Sequence, residues 1–251
     1  MLESIGMDIF AALLQNLVFI LLSVISATGL FMLYNRFPPA WFMGKDDPVR
    51  SSLLRKFPDG AVFISCLVVF SFIFFTKNSY SLILICDLFS MIFLVMISAS
   101  DIRTGMIPDQ FTAGLFFSSL FWIAYDIFLV QSADKAWYQI LTTRFAAGLA
   151  GGAVLLIIGI AGKFILKKES VGMGDVKLMF ACGLVVDLKG ITAVFVLSFL
   201  LALIPALIGI LSKRRTFDRL PFAPFISASV LIFLIFPEEI AMIGSYYGGL
   251  L

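Results

Sequence analysis

The sequence predicts an all-α polytopic membrane bundle of about eight transmembrane helices. Three observations carry that expectation. Of 251 residues, 61% are hydrophobic and only 14% charged, against about 25% charged in a soluble domain. The apolar residues fall into runs of about 20, the length a helix needs to cross the hydrocarbon core. Lys and Arg concentrate in alternate loops between those runs.

Taken in order, the first span covers about 8 to 34. It carries Glu3 and Asp8 where a signal peptide would carry basic residues, and no clear cleavage site, so it is expected to be retained. A charged segment, 36 to 59, leads to the second span at 60 to 76. The third, 81 to 100, ends in SASDIRTG, and the fourth, 110 to 131, starts behind Pro108. The fifth covers 142 to 162, the sixth 171 to 187 with Gly172 and Gly174 in its first turn, and the seventh 190 to 212. The last, 221 to 237, opens on LPFAPF. All eight are read as a single domain, 1 to 251.

Fourteen of the 18 basic residues fall on one side of this arrangement: Arg36, Lys45, Arg50, Arg55, Lys56, Arg103, Lys163, Lys167, Lys168, Lys177, Lys213, Arg214, Arg215 and Arg219. Lys77, Lys135, Arg144 and Lys189 fall on the other. The positive-inside rule makes the first side cytoplasmic and both termini external. An odd number of spans would break the alternation, so eight is preferred to seven despite the very short turn at Asp187 to Gly190.

The composition also excludes chemistry. With no histidine, Ser-His hydrolases and the HExxH zinc site are absent. Cys66, Cys86 and Cys182 lie in apolar runs with no CxxC pair and read as small core residues. A net charge of +2 is too small to imply a nucleic-acid partner. No metal or other cofactor is expected. The lipid bilayer is the expected solvent, and the 28 phenylalanines serve packing and lipid contact.

Two acids stand at predicted cytoplasmic helix ends. Asp101 closes the third span within SASDIRTGMIPDQFT, 98 to 112, and Asp175 opens the sixth within SVGMGDVKLMFACG, 170 to 183. The glycines before Asp175 permit close backbone approach and room for an extended substrate. Facing carboxylates can share one proton, the ionised member taking a proton from water while the protonated member polarises a scissile carbonyl. At about 5 Å and an effective dielectric near 20 their repulsion is roughly 3 kcal/mol, enough to favour the singly protonated pair. Acids at helix ends also serve plainer purposes, facing headgroups or complementing the helix dipole.

Gly172, Met173, Gly174, Asp175, Val176, Lys177 and Leu178 form a GMGDVKL string, and Asp101 precedes Pro108 in a D-x6-P pattern. With LPFAPF at 220 to 225, these residues resemble the type IV prepilin peptidases, membrane aspartic proteases of the GxGD class. The resemblance covers a motif region of about 98 to 235. It implies that Asp101 and Asp175 are catalytic, with Gly172, Gly174, Lys177 and Pro108 as supporting motif residues. It further implies cleavage of the basic leader of type IV prepilins or secretion pseudopilins, after a glycine, at the cytoplasmic face of a bacterial inner membrane. The family's bifunctional members carry two CxxC pairs in their first cytoplasmic loop, associated with zinc and N-methylation. The loop here has no cysteine, and Tyr34 to Pro38 only faintly echo the family's segment. Methyl transfer is therefore left open.

Two further patterns compete with this reading. Tyr125, Asp126 and Pro205-Ala206-Leu207 resemble presenilin-type motifs, but Asp126 lies about 16 residues, or roughly 24 Å, from the inner end of its span. A proton-coupled transporter would use Asp87 and Asp126 as buried acids, although polar packing accounts for them more simply and no inverted repeat is visible. Asp109, behind Pro108, is expected to cap the fourth helix. Lys177 is expected to snorkel toward headgroups.

Overall fold

A computed structural model describes residues 18, 20–29, 32, 36, 82–130, 136–167, 171–211, 221–237 and 240. Among them the structure is helical, with no strand. A short apolar helix, α1, covers Ile20–Gly29. The remaining helices are α2 (Leu82–Thr104), α3 (Asp109–Tyr125), α4 (Trp137–Leu166), α5 (Met173–Leu211) and α6 (Ala223–Ile235). A single π turn, Asp126–Val130, continues α3.

Four of the described helices are long and apolar enough to cross a membrane, namely α2, α3 with its π turn, α4 and α5. The expected spans at 81 to 100, 110 to 131 and 142 to 162 coincide with the first three. The first expected span is described mainly at Ile20–Gly29, and the second, 60 to 76, lies outside the described residues. The eighth corresponds to α6, whose 13 residues rise only about 20 Å.

The sixth and seventh expected spans are both contained in α5. Its helical geometry breaks at Asp187, where φ is 69° and ψ −177°. A left-handed φ on a non-glycine residue costs about 1–3 kcal/mol. Part is offset locally, because Asp187 Oδ1 accepts the Gly190 N–H at 2.8 Å, the bond of an N-cap residue. The limbs on either side turn back on one another. Met179 Cγ and Ile191 Cγ1 lie 3.1 and 2.8 Å from the position a Gly151 Cβ would occupy. An unbroken helix would hold those two residues about 18 Å apart along its axis.

Close packing concentrates on the first limb, 173–186. A Cβ on Gly148 of α4 would lie 2.9 Å from the Phe180 carbonyl oxygen, so glycine is what permits these backbones to meet. Lipid tails are as apolar as leucine, and such small-residue contacts hold membrane helices together by van der Waals fit. Leu94, Met96, Ile97, Leu178, Met179 and Ile226 form the buried centre, while Ile157, Phe164, Ile165, Ile208 and Leu211 point outward.

Candidate active site

The end of α2 is fastened locally. Gly105 adopts φ +61° and donates its N–H to the Asp101 carbonyl at 2.8 Å, an αL termination that suits glycine. Ser100 Oγ and Thr104 Oγ1 both donate to the Met106 carbonyl, at 3.0 and 3.3 Å. Pro108 then takes extended backbone, φ −63° and ψ 131°, at the N-cap of α3. The seven-residue step from Asp101 to Pro108 is thus one helix end, a stitched loop and the next helix start.

Asp101 is 7% exposed. Its Oδ2 accepts the backbone N–H of Ala223 at 3.0 Å. Ala223 is the first residue of α6, so this N–H has no partner within its own helix. From sequence the LPFAPF segment is expected only to open the last helix, and the structure adds a backbone donor to Asp101. Pro224 at the helix start was the available signal, since proline in a first turn marks where free N–H groups project.

Asp175 occupies the third position of α5. Its carboxylate accepts the Gly172 N–H, while Asp175 and Val176 donate their own N–H groups to the Gly172 carbonyl at 3.1 and 3.4 Å. This is the returning half of a capping box, with the acid at N3 reaching the N-cap amide. Asp175 Oδ1 is buried and has no hydrogen-bond partner among the described residues. The start of α5 lies against the loop that follows Asp101, a Gly174 Cβ falling 3.1 Å from Ile107 Cβ. The two carboxylates therefore share one end of the bundle, each fastened to a helix N-terminus through one backbone N–H.

Both motif glycines have steric reasons. A Cβ on Gly172 would lie 3.3 Å from Asp175 Oδ2, and one on Gly174 would lie 3.1 Å from Ile107 Cβ. The second contact seats the start of α5 on the loop that follows Asp101. Lys177, expected at the headgroups, instead donates to Asp109 Oδ1 at 2.7 Å, with both side chains half or more exposed. An exposed pair of this kind is worth about 0–1 kcal/mol. Beside it opens an apolar groove of about 580 Å³ between α3, α4 and α5. Helical periodicity turns its Val176, Lys177, Phe180 and Ala181 wall away from Asp175.

The other acids lie elsewhere. Asp126, at the far end of α3 from Pro108, pairs with Arg144, whose Nε donates to Asp126 Oδ2 at 3.0 Å. That engagement removes the presenilin-like pairing with Asp175, and proton-coupled transport finds no support here. Asp87 is fully buried on α2. Cys86 and Cys182 are buried free thiols, and Cys66 lies outside the described residues. No group of three or more metal-ligating side chains occurs among the described residues.

A family model described as the type IV leader peptidase family matches residues 88–207. A prepilin leader peptidase/N-methyltransferase of Xanthomonas campestris pv. campestris is 31% identical over 138 residues, 54% of this chain and 44% of that protein. One of Escherichia coli K12 is 26% identical over 140 residues, 56% of this chain and 58% of that protein. The chain thus spans about half the length of the curated relatives it matches. No solved structure matches it. The matched segment contains Asp101, Pro108, Gly172, Gly174 and Asp175, and over it the chain is similar to the type IV leader peptidase family.

Proposed function

We propose that this protein is a membrane aspartic endopeptidase that removes the leader of type IV prepilins or pseudopilins at the cytoplasmic face of a bacterial inner membrane. The observation that carries the proposal is that Asp101 and Asp175 lie toward one end of the bundle, where Gly174 seats against Ile107 of the loop after Asp101 and Asp101 accepts the Ala223 N–H. The match to the family model and the names of the two relatives support the substrate class.

With one proton between them, the ionised carboxylate accepts a proton from water as the water oxygen attacks the scissile carbonyl carbon. The protonated carboxyl donates to the carbonyl oxygen. The tetrahedral diol then collapses as a proton passes to the amide nitrogen, which leaves as the new amino terminus. The backbone N–H groups of Ala223 and Gly172 hold the two carboxylates in place during the exchange. Neither is delivered by a flexible side chain.

Purified protein incubated with candidate prepilins tests the proposal by mass spectrometry of the products. A new N-terminus at the junction between basic leader and hydrophobic helix is expected. Failure to cut any prepilin or pseudopilin, by folded protein in lipid, would overturn it.

A further inference from the structure

Arg144 is 8% exposed and lies on α4, well away from the paired aspartates. Its guanidinium makes two kinds of contact. Nε and Nη2 donate to Asp126 Oδ2, in the π turn after α3. Nη1 donates to the Leu184 carbonyl at 3.3 Å and also to the Val185 carbonyl. The cation stands 5.9 Å over the Trp122 ring.

Those two carbonyls have a particular position. The first limb of α5 ends at the Asp187 break, so its last four carbonyls lack helical partners. Away from water, such orphans are costly, and Arg144 takes two of them. The fork of the guanidinium suits this work, because its donors are fixed in one plane and can bind a carboxylate and carbonyls together. One side chain thereby joins α4, the end of α3 and the end of the limb whose other end carries Asp175.

The packing along the limb explains why such a tie matters. Its interface with α4 runs over Gly148, Gly151, Gly152 and Gly183, where backbones come close and the Met179, Phe180 and Leu184 side chains of the limb lie against the α4 glycines. Asp101 is held to α2 and α6, so its distance from Asp175 depends on the axial register of the limb.

We propose that Arg144, anchored by Asp126, is a positioning residue that fixes the axial register of the Asp175-bearing limb and so the spacing of the aspartate pair. Its importance for catalysis rests on the peptidase proposal, whereas its effect on spacing does not.

The test uses the full chain with Cys66, Cys86 and Cys182 replaced by alanine and with Asp101→Cys and Asp175→Cys introduced. Bifunctional thiol reagents of graded length report the spacing, and gel filtration in detergent reports folding. Arg144→Lys keeps the charge but loses the fork, and Asp126→Asn keeps the shape but loses the anchor, so one serves if the other fails to fold. A shift toward longer reagents, or a broadened preference, is expected in both. With the aspartates intact, Arg144→Lys should lower kcat by about tenfold or more at unchanged KM, as misplacement at a reacting centre does. An unchanged reagent preference in folded variants overturns the proposal, even if cleavage falls. If the unmodified protein cuts no prepilin while the reagent preference still shifts, the peptidase proposal fails and the register tie stands.

Discussion

Gly174→Ala examines the seat of Asp175 by adding one methyl group. A Cβ there would lie 3.1 Å from Ile107 Cβ, 3.4 Å from its Cδ1 and 3.5 Å from its Cγ1. An ordinary carbon contact is about 3.5–4.0 Å, so the start of α5 or the loop must yield by roughly half an ångström. The loop resists, because Ser100 and Thr104 bind Met106 next to Ile107. Overpacking costs about 1–3 kcal/mol, and the helix propensity gained from glycine to alanine returns up to about 1 kcal/mol. Net stability should therefore fall only slightly. The displacement is transmitted to the adjacent residue, Asp175. Since about 1 Å of misplacement can cost 100-fold in rate, half of that predicts a loss of about tenfold in kcat. Ile107→Ala should restore much of it in the double variant, because it removes the atoms that clash. The assay is prepilin cleavage across the four-member mutant cycle, with thermal unfolding measured in parallel. Full activity of Gly174→Ala, or equal losses with and without Ile107, would refute the reasoning.

Asp101→Asn and Asp175→Asn should each abolish cleavage in folded protein, whereas Asp109→Asn, which loses only an exposed pair with Lys177, should retain most activity; near wild-type rates in either of the first two would remove them from the chemistry. The rate of the unmodified protein should be bell-shaped in pH, with limbs belonging to the coupled pair, and a profile flat from about pH 4 to 10 would contradict a carboxylate dyad. Single cysteines at 105 or 169 in a cysteine-free chain should react only with thiol reagents that reach the cytoplasm, and labelling from outside intact cells would invert the topology. Metal analysis should find no stoichiometric zinc, since the segment 36–59 has no cysteine, and mass spectrometry should find the trimmed product unmethylated. A methyl group added by the purified enzyme would show that transfer does not need that loop.

The helical class, the order of the helices and the two candidate aspartates were legible in the sequence because each is a local or compositional signal. Apolar runs of about 20 residues need only be counted, and GMGDVKL and D-x6-P are contiguous strings. The break at Asp187 was also legible, as a short polar turn between two apolar stretches, although its left-handed backbone was not. Other features depend on pairs of residues far apart in the chain. Nothing near Asp101 announces that its carboxylate accepts an N–H from Ala223, 122 positions later. Nothing near Gly174 announces Ile107, whose side chain is the reason a Cβ fits poorly there. Asp126 and Arg144 were read separately, one as a buried acid and the other as an external loop charge. Only the packing of α4 against the first limb of α5 brings Arg144 to the carbonyls of Leu184 and Val185. The physical reason is that backbone donors and acceptors are the same at nearly every position and leave no mark in composition. Which of them remain unpaired, and which side chain reaches them, is decided by where helices end in space.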